Sequence, residues 1–317
     1  MASTTRTTTT IVSPVRVEPA YADRDAVWRT VISHGPYPLM AAGAGYRELM
    51  GDLPLSPFFR TLWASDGIAI DAETESLLHH EPFIGAARQL YGATVVRPSN
   101  LIVNVMGPMQ DGGRHVDTPT FRGLPRAVVP VWLLVVMGMS GLFEQWAVRV
   151  AGALTWFYDN HDGEFEYWPH GLNAAPEIER GPYGNIALVA DNDLMYHHVR
   201  PIGDADAFER TAPLAIDSVI QPVDHGAWEI NDHESTIITL APSDVRVSLL
   251  WKAITFPDER SAAIYDEHDD DLDLAAVARI FATDLTRRGV VFSEPEDPVS
   301  DPAWAKVLTS TYMPGLN

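Results

Sequence analysis

The sequence predicts a mainly β protein with flanking helices, and three observations carry that expectation. Between Asn100 and about Phe256, short runs of Val, Ile, Leu, Trp and Tyr alternate with Gly, Pro, Asp and Asn turns. Helix-like apolar spacing lies outside that region, over Asp23–Ser33 and Thr74–Tyr91 before it and from about Asp271 after it. A chain of 317 residues with 46% hydrophobic content can bury one large core. Many short strands without helices between them imply a sandwich or barrel, and a jelly roll is the usual double-sheet form.

Taken in order, Met1 to Pro14 is a Ser/Thr-rich tract without the apolar stretch of a secretory signal, and reads as a disordered tail. The segment Ala22 to about Gly92 reads as helical, broken by Pro and Gly clusters. The strand signals are Leu101–Met106, Ala127–Met137, Ala153–Tyr158, Glu164–Trp168, Asn185–Ala190, Ser235–Leu240 and Val245–Phe256. The longest apolar stretch, Ala127 to Phe143, is interrupted by Pro130, Gly138, Ser140 and Gly141, so it falls short of a membrane span. Two buried strands joined near the glycines are expected there instead. The last helical block carries Leu272, Val277, Ile280, Phe281 and Leu285 and stops at Arg287-Arg288-Gly289. With no internal repeat and no second composition regime, residues 15–317 read as one domain: helical over 15–95, a β core over 96–256 and C-terminal helices over 257–317.

Charge and cysteine usage narrow the function. With 43 acidic against 22 basic side chains the formal charge is -21, which repels phosphate backbones and anionic membranes. Nucleic acid and membrane partners are therefore not expected, and a small-molecule substrate is. Without cysteine there are no disulfides, thiolate metal sites or thiol nucleophiles, so any metal is held by His, Asp or Glu. That composition is compatible with a cytoplasmic location.

The informative stretch is Gly112-Gly113-Arg114-His115-Val116-Asp117-Thr118. Alternation on an extended chain turns His115 and Asp117 to one face and Val116 to the other, so an imidazole and a carboxylate can hold a divalent metal from one strand end. Alone, such a triplet is weak evidence. A second element, Met195-Tyr196-His197-His198-Val199-Arg200-Pro201, follows the strand-like Ile186–Ala190 and offers a further histidine. A third, Val245-Arg246-Val247-Ser248-Leu249-Leu250-Trp251, puts Arg246 and Ser248 on one strand face, and a guanidinium inside a β core needs an anion to pair with.

These elements, in this order, resemble the Fe(II)/2-oxoglutarate-dependent oxygenase superfamily, over about residues 95 to 256. Looser pieces agree: Asn104 on the preceding strand, Gly163-Glu164-Phe165-Glu166-Tyr167-Trp168-Pro169, and His-x-Val-x-Pro around the distal histidine. The resemblance implies a double-stranded β-helix core with His115, Asp117 and His197 as Fe(II) ligands, His197 being favoured over His198 as the first residue of His-x-Val-x-Pro. It also implies Arg246, Ser248 and Asn104 as cosubstrate contacts, with Arg246 facing the distal carboxylate of 2-oxoglutarate. Two histidines and one carboxylate leave adjacent positions open for 2-oxoglutarate and O2. Since halogenating relatives lack the carboxylate ligand, Asp117 favours hydroxylation or a related oxidation. One departure stands out: the chain between His197 and Arg246 is much longer than in related enzymes, which implies an insertion near residues 201–234 and makes Arg210 a competing anchor.

Plainer readings compete at several positions. His34, His79, His80, His161, His170, His225 and His268 are expected to be surface or structural, and His233 is a lesser candidate for the distal ligand. The acidic run Asp266 to Asp273 lacks the glycine and spacing of a calcium loop and reads as a solvated helix N-terminus. Arg114, Arg122, Arg126 and Arg200 could mark an anionic pocket, although loop arginines are more often solvated or paired. Trp132, Trp156 and Trp168 are expected in the core. The rival functions are a cupin-type metal-dependent isomerase or hydrolase, and a non-catalytic jelly-roll binding module.

Overall fold

The computed structural model describes residues 11–42, 55–211, 214–233 and 235–313. The predicted tail therefore lies mostly outside the described residues. In chain order the strands are β1 (Val15–Val17), β2 (Tyr37–Pro38), β3 (Phe58–Ser65), β4 (Ile68–Ala69), β5 (Val95–Met106), β6 (Thr120–Phe121), β7 (Ala147–Phe157) and β8 (Phe165–Tyr167). They continue as β9 (Glu177–Glu179), β10 (Ala187–Ala190), β11 (His197–Val199), β12 (Val219–Pro222), β13 (Trp228–Asp232), β14 (Ser235–Leu240) and β15 (Arg246–Phe256). The helices are α1 (Arg24–Ser33), α2 (Ala72–Leu78), α3 (Glu81–Tyr91), α4 (Val131–Ser140), α5 (Ala205–Arg210), α6 (Glu259–Glu267), α7 (Leu274–Arg287) and α8 (Pro302–Tyr312).

β15 is the centre of the larger sheet, whose order is β1-β10-β7-β15-β5-β3-β4. It runs antiparallel to β5 on one side and β7 on the other. A smaller sheet has the order β11-β8-β9, and His115 extends it by pairing with His197 through reciprocal backbone hydrogen bonds of 3.0 and 2.9 Å. Side chains of both sheets meet in one apolar cluster that includes Leu154, Trp156 and Leu250 from the larger sheet and Phe165 and Tyr167 from the smaller. Four strands, β10-β7-β15-β5, thus face the ribbon of the His115 segment, β11, β8 and β9, which is the double-stranded β-helix arrangement. No described helix is long and apolar enough to cross a membrane.

The two faces of β15 follow from its alternation. Val247, Leu249, Trp251 and Ala253 join the outer core, in which α3 contributes Phe83, Ile84, Ala87 and Leu90. Arg246, Ser248, Leu250 and Lys252 occupy the other face, toward the smaller sheet.

Three expectations need correction. Ala127–Phe143 is not a pair of strands: it forms helix α4, with Pro130 just before its first residue and Gly141 ending it in the left-handed region. A short apolar run does not distinguish buried strand from buried helix, and Leu and Met, with a proline start and a glycine stop, favoured the helix. Its buried face packs Leu133, Leu134 and Met137 against Phe281 and Leu285 of α7 and Trp304 and Leu308 of α8. The segment Ala22 to Gly92 is not all helical, because β3 crosses it and pairs with β5, and Thr74–Tyr91 splits at His79-His80 into α2 and α3. Residues 15–17, also placed in the helical block, form β1 on the edge of the larger sheet. The region of the expected insertion holds α5, β12 and β13, which with β14 and β2 make a third sheet, β14-β13-β12-β2.

Candidate metal centre and cosubstrate pocket

His115, Asp117 and His197 come together: one ligand atom from each lies within 4.8 Å of the others. The backbone explains how. Besides the His115–His197 pairing, the Asp117 amide donates to the carbonyl of Asn192 at 2.8 Å, fixing the HxD segment against the turn before β11. Behind it Val116 packs with Trp168 and Tyr196, with Val135 and Met139 of α4 closing over them. Gly138 permits that approach, since a Cβ there would stand 2.7 Å from the Pro119 ring, two residues past Asp117.

Each imidazole is oriented by a backbone carbonyl. His197 Nδ1 lies 2.9 Å from the Met195 carbonyl, and His115 Nδ1 lies 3.0 Å from that of Gly113. A carbonyl only accepts, so both rings donate from Nδ1, which leaves Nε2 as the nitrogen free to bind a metal. The two rings stand 4.5 Å apart, and His197 Nε2 is 3.7 Å from Asp117 Oδ1. Burial pushes the His197 pKa down to about 4, against the pull of the Asp117 carboxylate, so the ring is neutral at pH 7. His198 points the other way, with Nδ1 2.9 Å from Asp111 and Nε2 bound to Glu166, and Glu166 also accepts from Arg200 at 2.9 Å. Of the two adjacent histidines, only His197 joins the cluster. His233 is exposed in the β13–β14 turn, beside Asp217 and Asp232.

Sequence reasoning missed Lys252. It is one of two lysines in the chain, it shares the inward face of β15 with Arg246, and its ammonium lies 2.5 Å from Asp117 Oδ2 and 3.9 Å from Asp193. Burial opposes the charged amine, but Asp117 and Asp193 outweigh it and hold its pKa above the ordinary value. The same contacts act on the carboxylates: burial alone would raise Asp117, yet Lys252, then His197, bring it well below the usual carboxylate range. Asp193, with burial only partly offset by Lys252, is raised to about 7. A lone lysine two alternations beyond Ser248 in an apolar strand was the signal available.

Arg246 is fully buried at the start of β15. Its Nε donates to the Gly163 carbonyl at 2.8 Å, its guanidinium lies over the Tyr183 ring at 5.9 Å, and among the described residues its Nη2 has no hydrogen-bond partner. Ser248 and Asn104 stand opposite each other on β15 and β5, with Asn104 Nδ2 3.5 Å from Ser248 Oγ. Arg60 donates to Asn104 Oδ1 at 2.7 Å. Arg210 instead ends the short helix α5 and is exposed.

No protein-family model matches the chain, and no curated relative does. Solved structures do align with it. They include a 2OG-Fe(II) oxygenase family oxidoreductase from Burkholderia pseudomallei (13% identity, TM-score 0.42, 77% of this chain and 86% of that one). A Pseudomonas putida prolyl-4-hydroxylase aligns at 10% identity and TM-score 0.41, over 77% and 94% of the two chains. HygX from Streptomyces hygroscopicus, with nickel, 2-oxoglutarate and hygromycin B bound, aligns at 8% identity and TM-score 0.37, over 77% and 83%. Likeness at this distance carries no weight for the chemistry, which rests on the residues above.

Proposed function

We propose that the protein is an Fe(II)- and 2-oxoglutarate-dependent dioxygenase that hydroxylates a small molecule and converts 2-oxoglutarate to succinate. The observation that carries the reading is the grouping of two imidazoles and one carboxylate, from two paired segments of one ribbon, at the inner end of a β core. Such a donor set fits Fe(II) and leaves coordination positions open. A second feature fits the cosubstrate: a buried guanidinium with an unpaired Nη2 is costly unless an anion completes it.

In this reading His115 and His197 bind through Nε2 and Asp117 through the oxygen facing His197. Lys252 holds the other Asp117 oxygen, keeping the carboxylate from turning and remaining charged itself. Arg246 binds the distal carboxylate of 2-oxoglutarate, with Ser248 as a hydroxyl donor beside it and Asn104 positioning that hydroxyl. When bound, iron would activate O2, the oxidant, and 2-oxoglutarate would supply two of the electrons that reduce it, leaving as succinate and CO2; the chain's contribution is to hold and orient these groups. Asp117 in the ligand set favours oxygen transfer, since no ligand position is vacated for a halide.

The test is the apparent KM for 2-oxoglutarate in succinate formation. Arg246→Met should raise it about ten- to a hundredfold, as expected for a charge-assisted pair worth about 1.5–3 kcal/mol, while iron still binds. Arg246→Lys should restore it only in part, lacking the bidentate fork. A rise confined to Arg210→Met would move the anchor to α5, and no change in either would count against 2-oxoglutarate as the cosubstrate.

A further inference from the structure

A cleft of about 1000 Å³ opens beside the metal centre. Its floor is made by β5 at Pro98–Asn100 and β15 at Lys252 and Ile254, and one wall is the loop from Thr120 to Arg126. Because Lys252 lines the cleft and touches Asp117, the inner end of the cleft is one side chain removed from the triad. Its size is at the upper end for small-molecule sites, so it suits a ligand much larger than a free amino acid. Phe121, Leu124, Ile254 and Tyr265 give it an apolar surface.

The charges along it are nearly all spoken for. Arg97 forms a two-pronged pair with Asp266, at 2.7 and 2.9 Å. Arg122 does the same with Asp270, at 2.6 and 2.7 Å. His268 is 2.9 Å from Asp271, and Lys252 is held by Asp117. Arg126 differs. It donates to the carbonyl of Thr118, the residue after the ligand Asp117, and forms no ion pair with a described carboxylate. That bond places its exposed guanidinium one residue from Asp117, at the metal end of the cleft. Of the other loop arginines, Arg200 is paired with Glu164 and Glu166, and Arg114 lies over the Trp168 ring at 5.3 Å, outside the cleft.

We infer that this cleft binds the primary substrate, and that the substrate is a bulky, largely apolar molecule with one acidic group, which Arg126 receives. The inference rests on the oxygenase reading for the word substrate, but the anion site stands on the cleft itself. Of the arginines lining the cleft, Arg97 and Arg122 each hold a carboxylate and Arg126 holds none among the described residues, so a two-pronged bond to a carboxylate, sulfonate or phosphate uses its free donors. The apolar wall sets the rest of the ligand.

A matched pair of dyes tests it: anilinonaphthalene sulfonate, which is apolar and anionic, and the uncharged phenylnaphthylamine. Fluorescence titration of the whole protein should show saturable sulfonate binding, clearly tighter than that of the neutral dye. Arg126→Gln should weaken the sulfonate about tenfold or more, leaving the neutral dye unchanged. Arg114→Gln, outside the cleft, should change neither, and Asn100→Trp on the floor should displace both. No saturable sulfonate binding, equal affinity for the two dyes, an unaltered sulfonate affinity in Arg126→Gln, or indifference to Asn100→Trp would each overturn the inference. Fe(II) and 2-oxoglutarate binding, measured in the same samples, separate the two claims. Their absence with dye binding intact would sink the oxygenase reading alone, whereas their presence with charge-blind dye binding would sink the anionic substrate alone.

Discussion

The adjacent pair His197 and His198 illustrates how a strand assigns different work to neighbours. One ring joins His115 and Asp117 and is kept neutral by burial, with a carbonyl fixing its tautomer; the other, equally buried, turns to the opposite face between two carboxylates. His197→Ala should therefore abolish stoichiometric Fe(II) binding, while His198→Ala keeps it and loses about 1–3 kcal/mol of stability by leaving Glu166 and Asp111 without their partner. Metal content and thermal melts of both variants check this. Lys252 makes a sharper prediction, because removing it leaves Asp117 and Asp193 facing each other uncompensated. Lys252→Met should destabilise the metal-free protein by about 3–5 kcal/mol, the usual cost of breaking a buried pair from one side. A divalent metal replaces the missing charge, so Mn(II) should raise the Tm of Lys252→Met by more than it raises that of the wild type. An unaltered metal-free Tm would show that the pair does not hold the carboxylate.

At the scale of elements, the pattern of two was readable where apolar and polar side chains alternate along an extended segment. That is why His115 with Asp117, and Arg246 with Ser248, could be placed from the sequence. Helix α4 could not, because it is apolar nearly all round: one side meets α7 and α8 and another meets Val116 behind the HxD segment, leaving no polar stripe to give the period. Nor could β3 be foreseen, since its pairing with β5 is long-range. The layer of α4, α7 and α8 has its own polar fastener at Asp284, buried and bound by Arg287, Arg288 and, at 2.8 Å, the Tyr312 hydroxyl. Burial would raise the Asp284 pKa, but those three partners bring it below the ordinary carboxylate value. Its contribution is therefore present above the unfolded carboxylate pKa of about 3.9 and is lost as pH falls through the lower folded value. Asp284→Asn should cost about 1.5–3 kcal/mol at pH 7 and flatten the acid limb of the stability curve. Urea melts at pH 7 and between pH 4 and 2 check it, and equal acid sensitivity in variant and wild type would contradict it.

For the whole molecule, what the sequence could convey was the order along the chain of the HxD segment, the second histidine and the Arg-x-Ser strand. What it could not convey was distance. The closeness of Asp117 to Lys252, 135 residues apart, and the cleft beside them exist only once β15 lies against the HxD segment. The central claim is that this closure builds a single iron site that in turn accepts 2-oxoglutarate, and an anaerobic titration tests it most directly. Iron-loaded protein is titrated with 2-oxoglutarate by calorimetry and visible absorbance, beside Asp117→Ala. One Fe(II) and one 2-oxoglutarate per chain are predicted, with a new absorption band that needs both and with neither bound stoichiometrically in the variant. Wild-type iron binding by Asp117→Ala, or an iron-loaded wild type that ignores 2-oxoglutarate, would contradict the account.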